Sequence, residues 1–462
     1  MLRALAARAA PPAALVALLL AGCAREPSPA PAAAPEVRNL VVILVDTLRA
    51  DHLSLYGYER PTSPNLDRLA GRSGIVFEEA RSQSNCTFPS VNSLLTSRAP
   101  TVFLAGLREN GFAIPEATPS IARRLADAGY ATAAVSASPI VRATPSPENE
   151  AGGFGDGFDS FDEECRWREA ACVMARAGPA LDELPEPFFV YLHFLEPHDP
   201  YRPQPFPGGA HPFAGDGPEG PDKEWVRLGD PRPMANHLYS GEPDPGLTDA
   251  DLEHLVALYD EEILYWDAQM LEIFERLERR GALESTAIAI VSDHGEEFLE
   301  HGHVKHCRTL YDTEIGVPMV LFVPGRGPLR VTAPVSNLDL VPTLLDLVGV
   351  EAPDGALEGR SLRPLLEGGA LPRAPQFAAY GQLRAVIDGG WKLVRNLRAR
   401  ETELYDLASD PGETGDRATA APDEVRRLRL LLGEWRRSTE PEGARQGADE
   451  AEKQLRAVGY LD

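Results

Sequence analysis

The segment Asn39-Leu40-Val41-Val42-Ile43-Leu44-Val45 runs without a polar residue after its first position. An alternating strand has one wet face. A continuous apolar one has none, so this segment is expected to be a strand buried on both sides. Phe188–Phe194 and the stretch 285–291 have the same character. Such strands need helices on both faces of their sheet, and helical periodicity recurs over 63–72, 119–128, 249–281 and 339–348. Further strands are expected at 130–136 and 317–323, with an irregular stretch at 152–162. The alternation predicts an α/β fold. The region 202–245 is rich in Pro and Gly without periodicity, which suits a lid or specificity insertion. After about 372 the pattern changes to short strands, 377–387 and 391–394, and a helix over 423–437, so a small α+β C-terminal subdomain is expected.

The buried strands deliver polar residues at their ends. Asp46 follows the first, Asp293 and His294 follow 285–291, and His193 and His198 lie at and just beyond the end of Phe188–Phe194. In an open α/β sheet the strand C-termini gather on one edge, where ligands bind. Two carboxylates and an imidazole make half a shell for a divalent cation. A further ligand comes from Asn85-Cys86-Thr87-Phe88-Pro89-Ser90-Val91. Pro89 suits the first turn of a helix, placing Thr87 just outside its N-terminus, where backbone donors and the dipole favour an oxygen nucleophile or an anion. A bound cation lowers hydroxyl pKa values, so Thr87 is a candidate for both metal ligand and nucleophile. His301, Lys305 and His306 follow Asp293 closely; His301 is a candidate substrate contact, and Lys305 and Arg49 are the expected holders of an anion.

The formal net charge of −25 over 462 residues argues against non-specific nucleic-acid binding. Any anionic substrate must therefore be met by local cations. Arg3 and Arg8 precede an apolar run, 13–20, that ends in Leu20-Ala21-Gly22-Cys23. This is the layout of a secretory signal, too short for a comfortable membrane span. Its end resembles a bacterial lipobox. The expectation is a signal peptide over 1–22, a lipid on Cys23, and a Pro/Ala tether over 23–38 that holds an exported protein to a membrane, the outer one by preference because Ala24 gives no retention signal. Export permits disulfides. Cys86, Cys165, Cys172 and Cys307 allow three connectivities, among them a local Cys165–Cys172 pair and a Cys86–Cys307 pair beside candidate site residues.

Val42-Ile43-Leu44-Val45-Asp46-Thr47-Leu48-Arg49-Ala50-Asp51-His52 resembles the opening motif of the sulfatases, within the alkaline phosphatase superfamily. Pro197-His198-Asp199-Pro200-Tyr201, Ser292-Asp293-His294-Gly295-Glu296, His301-Gly302, Asp339-Leu340-Val341-Pro342-Thr343 and Leu404-Tyr405-Asp406-Leu407 fit the same family, in its order. The resemblance implies a large central mixed sheet sandwiched between helices over 39–372, with the C-terminal subdomain over 373–462. It implies a zinc, manganese or calcium ion on Asp46, Asp293 and His294. It also places His193, His198, Lys305 and His306 where relatives contact the transferred group, donate to the leaving group or hold a second metal.

One departure bears on the chemistry. Sulfatases carry a cysteine or serine two residues before the proline, which is oxidised to formylglycine, and an arginine two after it. Here those positions hold Thr87 and Val91, and Cys86 is one residue early. The phosphoethanolamine transferases of the superfamily are similar in using threonine. A formylglycine hydrate expels sulfate through its second hydroxyl, a route that a threonine ester lacks. A threonine phosphate ester can be hydrolysed or passed to an acceptor. The expected function is an exported, metal-dependent hydrolase of sulfate or, by preference, phosphate mono- or diesters. The alternatives are a headgroup transferase acting on envelope glycan or lipid, and a catalytically silent binding lipoprotein that keeps the fold.

Overall fold

Along Asn39–Val45, strand β1, successive side chains enter two different apolar clusters. Val41, Ile43 and Val45 join one; Leu40, Val42 and Leu44 join the other. Both faces of the strand are therefore core, which is why its sequence shows no alternation. The structure is a computed structural model describing residues 36–440, apart from 168, 205, 207–208 and 219–222 and the side chains of 108–109. The expected signal segment, the lipidation at Cys23 and most of the tether lie outside the described residues.

β1 is central in an eight-stranded sheet. Its partners in chain order are β2 (Gly74–Phe77), β3 (Ala131–Ser136), β4 (Ser160–Asp162), β5 (Phe188–Phe194), β6 (Thr286–Ser292), β7 (Met319–Phe322) and β8 (Leu329–Val331). The spatial order is β8-β2-β7-β6-β1-β5-β3-β4. β1 runs parallel to β5 and β6, while β7 is antiparallel to both β6 and β2, so the sheet is mixed. Val45 pairs with Ser292 on one side and Phe194 on the other. That register sets Asp46 and Asp293 side by side where the two strands leave the sheet.

Helix α1 (Pro64–Ser73) leads into β2, and α2 (Thr87–Thr96) is buried along its whole length. Helix α3 (Asp249–Arg279) opens with a capping box between Thr248 and Asp251. Besides Asp251 it carries four buried acids that its amphipathic pattern does not announce, each binding a different segment. Asp260 holds His52, Tyr58 and Arg60; Glu261 accepts from the Phe213 and Ala214 amides. Glu262 accepts from the Arg202 amide, and Asp267 from the Asn65 and Leu66 amides that open α1. The described part of 202–245 contains two short helices, Glu224–Arg227 and Arg232–Ser240, and Glu261 and Glu262 bind its first part. Among the described residues no helix is long and apolar enough to cross a membrane.

The C-terminal subdomain is a four-stranded antiparallel sheet, β9 (Gln376–Tyr380), β10 (Leu383–Asp388), β11 (Trp391–Asn396) and β12 (Glu401–Asp406), covered by α4 (Pro422–Thr439). The strand expected over 377–387 is a hairpin, because Gly381 takes positive φ and turns the chain. β12 escaped the pattern search because its first three residues, Glu401, Thr402 and Glu403, are polar on an edge strand. Lys392 joins this sheet to the main body. Fully buried, it binds Asp312 Oδ1 (2.9 Å) and Glu413 Oε1 (2.8 Å), and Asp312 also holds Arg81.

Removing one partner of a buried ion pair leaves the other charge uncompensated. Lys392→Ala is expected to lower stability to urea by about 3 kcal/mol. Arg426→Ala, which removes an exposed pair with Asp423, should leave the urea midpoint unchanged.

Candidate active site

Asp46, Asp293 and His294 meet at the end of β1 and β6, all fully buried, with their ligand atoms within 4.8 Å of one another. His294 donates Nδ1–H to the Gly295 carbonyl (2.9 Å), which leaves the Nε2 lone pair facing Asp293 Oδ2 (3.4 Å) and Asp46 Oδ1 (3.7 Å). Asp46 Oδ2 is held by His193 Nε2 (3.1 Å), and Tyr191 donates to His193 Nδ1 (3.0 Å). Asp293 Oδ1 accepts from the Thr47 and His294 amides at 3.3 and 3.0 Å. The remaining oxygens, Asp46 Oδ1 and Asp293 Oδ2, are buried with no hydrogen-bond partner. Two orphaned carboxylate oxygens beside an imidazole lone pair fit a divalent cation.

The electrostatics agree with that donor set. Burial opposes the charge on Asp46, but the His193 hydrogen bond and the nearby imidazoles outweigh it and hold the carboxyl below its usual range. Burial and the Asp46 charge push Asp293 up to about 6. The two carboxylates oppose each other's ionisation, and a cation between them would favour both charges.

Thr87 is the first residue of α2, one position later in the helix frame than expected, with Cys86 as N-cap. The physical reason is that the first intrahelical bond runs from Ser90 N to the Cys86 carbonyl. Pro89 is then a third-position residue whose missing N–H has no intrahelical role. Thr87 Oγ1 lies 3.1 Å from His294 Nε2. Ser90 Oγ donates to the Asp293 carbonyl and sets the helix against the metal-ligand loop, while Val91 packs in the apolar core. Cys86 is bonded to Cys307, and Cys165 to Cys172. Around the first disulfide, Cys307 N donates to the Asn85 carbonyl, and Asn85 Nδ2 donates to Glu314, which also accepts from the Thr309 amide.

His198 donates Nδ1–H to the Asp199 carbonyl (2.6 Å), so Nε2 is its working atom. Lys305, from the two-residue strand Val304–Lys305, places Nζ 3.6 Å from Asp199 Oδ2. His306 Nδ1 is 3.1 Å from Glu296 Oε1. The His306 ring stands 5.0 Å from that of His198 and 4.6 Å from that of His294, so these groups adjoin the first cluster. His198, Asp199 and His306 also form a second set of potential ligands within 4.8 Å. Burial, then the His294, His198 and Lys305 charges, push His306 well below the usual histidine range, so its imidazole is neutral near pH 7.

Three sequence expectations need correction. Arg49 cannot serve as the anion holder, because its guanidinium is committed to Asp51, Glu300 and the Glu296 carbonyl. His301 bonds Glu297 through Nδ1 and the Gly412 carbonyl through Nε2, and stacks on Tyr311, so it joins the loop after β12 to the main body instead of binding substrate. His193, expected to touch substrate, has both ring nitrogens engaged and orients Asp46. The sequence reading missed Tyr191, Asn85 and Glu314. Tyr191 lies inside an apolar strand and Glu314 is distant in sequence, so neither carries a local signal. Asp199 and Glu296 stood inside quoted motifs and could have been singled out.

The mixed sheet thus gathers at its strand ends a helix N-terminus carrying the Thr87 hydroxyl and a carboxylate–histidine cluster that fits a divalent cation. The family model described as Sulfatase matches residues 38–350, and this chain belongs to that family; a second model, N-sulphoglucosamine sulphohydrolase, C-terminal, matches 299–425. It is a sulfatase-type ester hydrolase. The Delta 4,5-hexuronate-2-O-sulfatase of Bacteroides thetaiotaomicron is 24% identical over 432 residues, covering 83% of this chain and 85% of that protein. The choline-sulfatase of Rhizobium meliloti is 29% identical over 244 residues, covering 50% of this chain and 46% of that protein. The solved phosphonate monoester hydrolase of Silicibacter pomeroyi superposes with TM-score 0.69 at 21% identity, covering 87% of this chain and 95% of that one. A solved 2-O GAG sulfatase gives TM-score 0.69 at 21% identity, with 88% and 93% covered. At these identities the two structures establish the fold alone.

The neutral His306 has a pH consequence. Its folded pKa is depressed, so below the ordinary value of 6.5 the unfolded chain binds more protons and stability falls with pH. The slope approaches about 1.4 kcal/mol per pH unit. His306→Asn removes it, so the gap in thermal midpoint between variant and wild type should shift in the variant's favour from pH 7 to pH 5.5. A constant gap across that range would contradict a neutral His306.

Proposed function

We propose that this chain is an exported, metal-dependent ester hydrolase that uses Thr87 as its nucleophile and prefers phosphate mono- or diesters to sulfate esters. The observation that carries the reading is the division of labour between neighbours: Cys86 is sequestered in a disulfide, while the Thr87 hydroxyl lies 3.1 Å from His294 Nε2. Asp46, Asp293, His294 and Thr87 would hold the divalent ion. When bound, that ion supplies Lewis acidity, which favours the ionised hydroxyl and offsets charge on the ester oxygens.

The first turn of α2 directs backbone N–H groups and its positive end towards the ester. Thr87 Oγ1 attacks phosphorus in line, forming a threonine ester as the bond to the leaving oxygen breaks on the far side. His198, with Nδ1 fixed by the Asp199 carbonyl, presents Nε2 and as imidazolium gives the leaving oxygen its proton. Lys305 meets the developing charge. His306 is neutral and positions this group instead of supplying the proton. Water then hydrolyses the threonine ester. The Bacteroides relative is named for a sulfate ester on a hexuronate, which keeps sulfated glycans among the substrates to be tested. The lipobox-like Leu20-Ala21-Gly22-Cys23 supports export and a lipid anchor at Cys23.

The test is turnover of aryl sulfate, phosphate monoester and phosphodiester by the purified protein and by Thr87→Ala. Wild type is expected to favour the phosphorus esters, and Thr87→Ala to lose about a thousandfold or more in kcat. Chelation of the divalent ion should abolish turnover reversibly. Turnover of aryl sulfate alone, surviving in Thr87→Ala, would sink the threonine mechanism. Transfer of the phosphoryl group to a glycan or lipid acceptor, without release to water, would mark a headgroup transferase. Protein with no affinity for any divalent ion would mark a silent binding lipoprotein.

A further inference from the structure

Lys305, the cation of the proposed mechanism, sits on a very short ladder. Its strand, Val304–Lys305, pairs only as Lys305 with Glu297 and Val304 with Phe298. A ladder this short leaves the outer backbone groups of Val304 without a neighbouring strand, and such groups need a partner. One side chain supplies both. Tyr239, from the short helix Arg232–Ser240 of the insertion, accepts from the Val304 amide through Oη (2.9 Å) and donates to the Val304 carbonyl (3.1 Å). Its ring is fixed in turn: Arg308 lies over it at 3.8 Å from the centroid, and His303 stacks on it at 6.0 Å.

The segment that follows is strained. Lys305 and Cys307 have φ of 67° and 65°, the left-handed region, although neither is glycine. Residues keep such a conformation only where their surroundings over-determine it. Here both ends are fixed. On one side Tyr239 holds Val304 by both of its backbone groups. On the other, the Cys307 amide donates to the Asn85 carbonyl (3.0 Å), and its sulfur is bonded to Cys86, next to Thr87. Between the two anchors stand Lys305, with Nζ 3.6 Å from Asp199 Oδ2, and His306, its ring 4.6 Å from that of His294. The direction in which a side chain leaves the chain follows from its backbone conformation, so the anchors set where Nζ lies.

We propose that Tyr239 is a positioning residue for Lys305, and that the 202–245 insertion thereby sets the cationic side of the site. Without the hydroxyl, Val304 loses both bonds, Lys305 relaxes towards an ordinary φ, and its Nζ leaves the place where charge develops on the ester. Stabilisation of the transition state then falls, while binding through the rest of the site persists. The inference rests on the role given to Lys305 in the proposed mechanism and is independent of the nucleophile's identity.

The experiment compares full-length wild type, Tyr239→Phe, Lys305→Ala and the double variant on the aryl ester that wild type turns over. Tyr239→Phe keeps the ring beneath Arg308 and loses only the hydroxyl, so it is expected to fold. Its kcat should fall about tenfold with KM nearly unchanged. Lys305→Ala should lose about a hundredfold, and adding Tyr239→Phe to it should cost less than about twofold more. Hydrogen exchange in a peptide covering 304–307 should speed up in Tyr239→Phe and not in Leu238→Ala, a change at an exposed neighbour on the same helix. A lowered thermal midpoint with kcat intact would mark a purely structural tyrosine and overturn the proposal. Full additivity of the two losses, or unchanged exchange, would overturn it too. Undiminished kcat in Lys305→Ala would overturn the role of Lys305 itself, and the proposal with it.

Discussion

Asp46 and Asp293 leave neighbouring parallel strands at the same level and are buried completely, so their mutual repulsion is felt in a medium that screens it poorly. The surrounding structure is arranged to offset it. His193 and Tyr191 hold one oxygen of Asp46, two backbone amides hold one oxygen of Asp293, and His294 aims a lone pair between the rest. The N-terminus of α2, the positive end of its dipole, is brought to the same place, and Ser90 registers it against the Asp293 carbonyl. A divalent cation completes this set without requiring any ligand to move far. In the proposed mechanism, the same positive field would activate the Thr87 hydroxyl.

Buried carboxylates recur as organisers elsewhere. An ionised carboxylate is an acceptor with about four lone-pair sites, which suits irregular chain whose N–H groups have no ladder to join. The four acids of α3 use this to gather the segment after β1, the start of α1 and the first part of the insertion. Glu314 does the same at the site, joining Asn85 to the backbone at Arg308 and Thr309 beside the Cys86–Cys307 bond. Part of the chain's net charge of −25 is thus internal, acting as connectors, and says little about the surface.

The proposed use of a threonine in place of formylglycine is supported by packing as much as by residue identity. Val91 stands where relatives carry arginine and is an apolar core residue here, so that face of α2 is built for burial. Cys86 is held away from the reacting position by its partner across the loop. A hydroxyl nucleophile without a second oxygen on its carbon can release its ester only to water or another acceptor, and phosphorus esters meet that requirement more readily than sulfate esters.

The sequence by itself determined the layered α/β architecture, because strands buried on both faces cannot alternate and helices must cover them. It singled out the candidate metal-ligand set as well, since Asp46, Asp293 and His294 directly follow such strands. It also placed Thr87, by counting back from Pro89. What remained was decided by contacts between distant segments. Whether Arg49 and His301 face an anion or a carboxylate depends on Glu300 and Glu297 across a turn and on Gly412 in another subdomain. Tyr191 and Glu314 became positioning groups only when the sheet register and the loop after His306 brought them to their partners. Local periodicity reports which face of an element is buried. The partner of a buried charge is set by three-dimensional packing, and at this site the charges carry the chemistry.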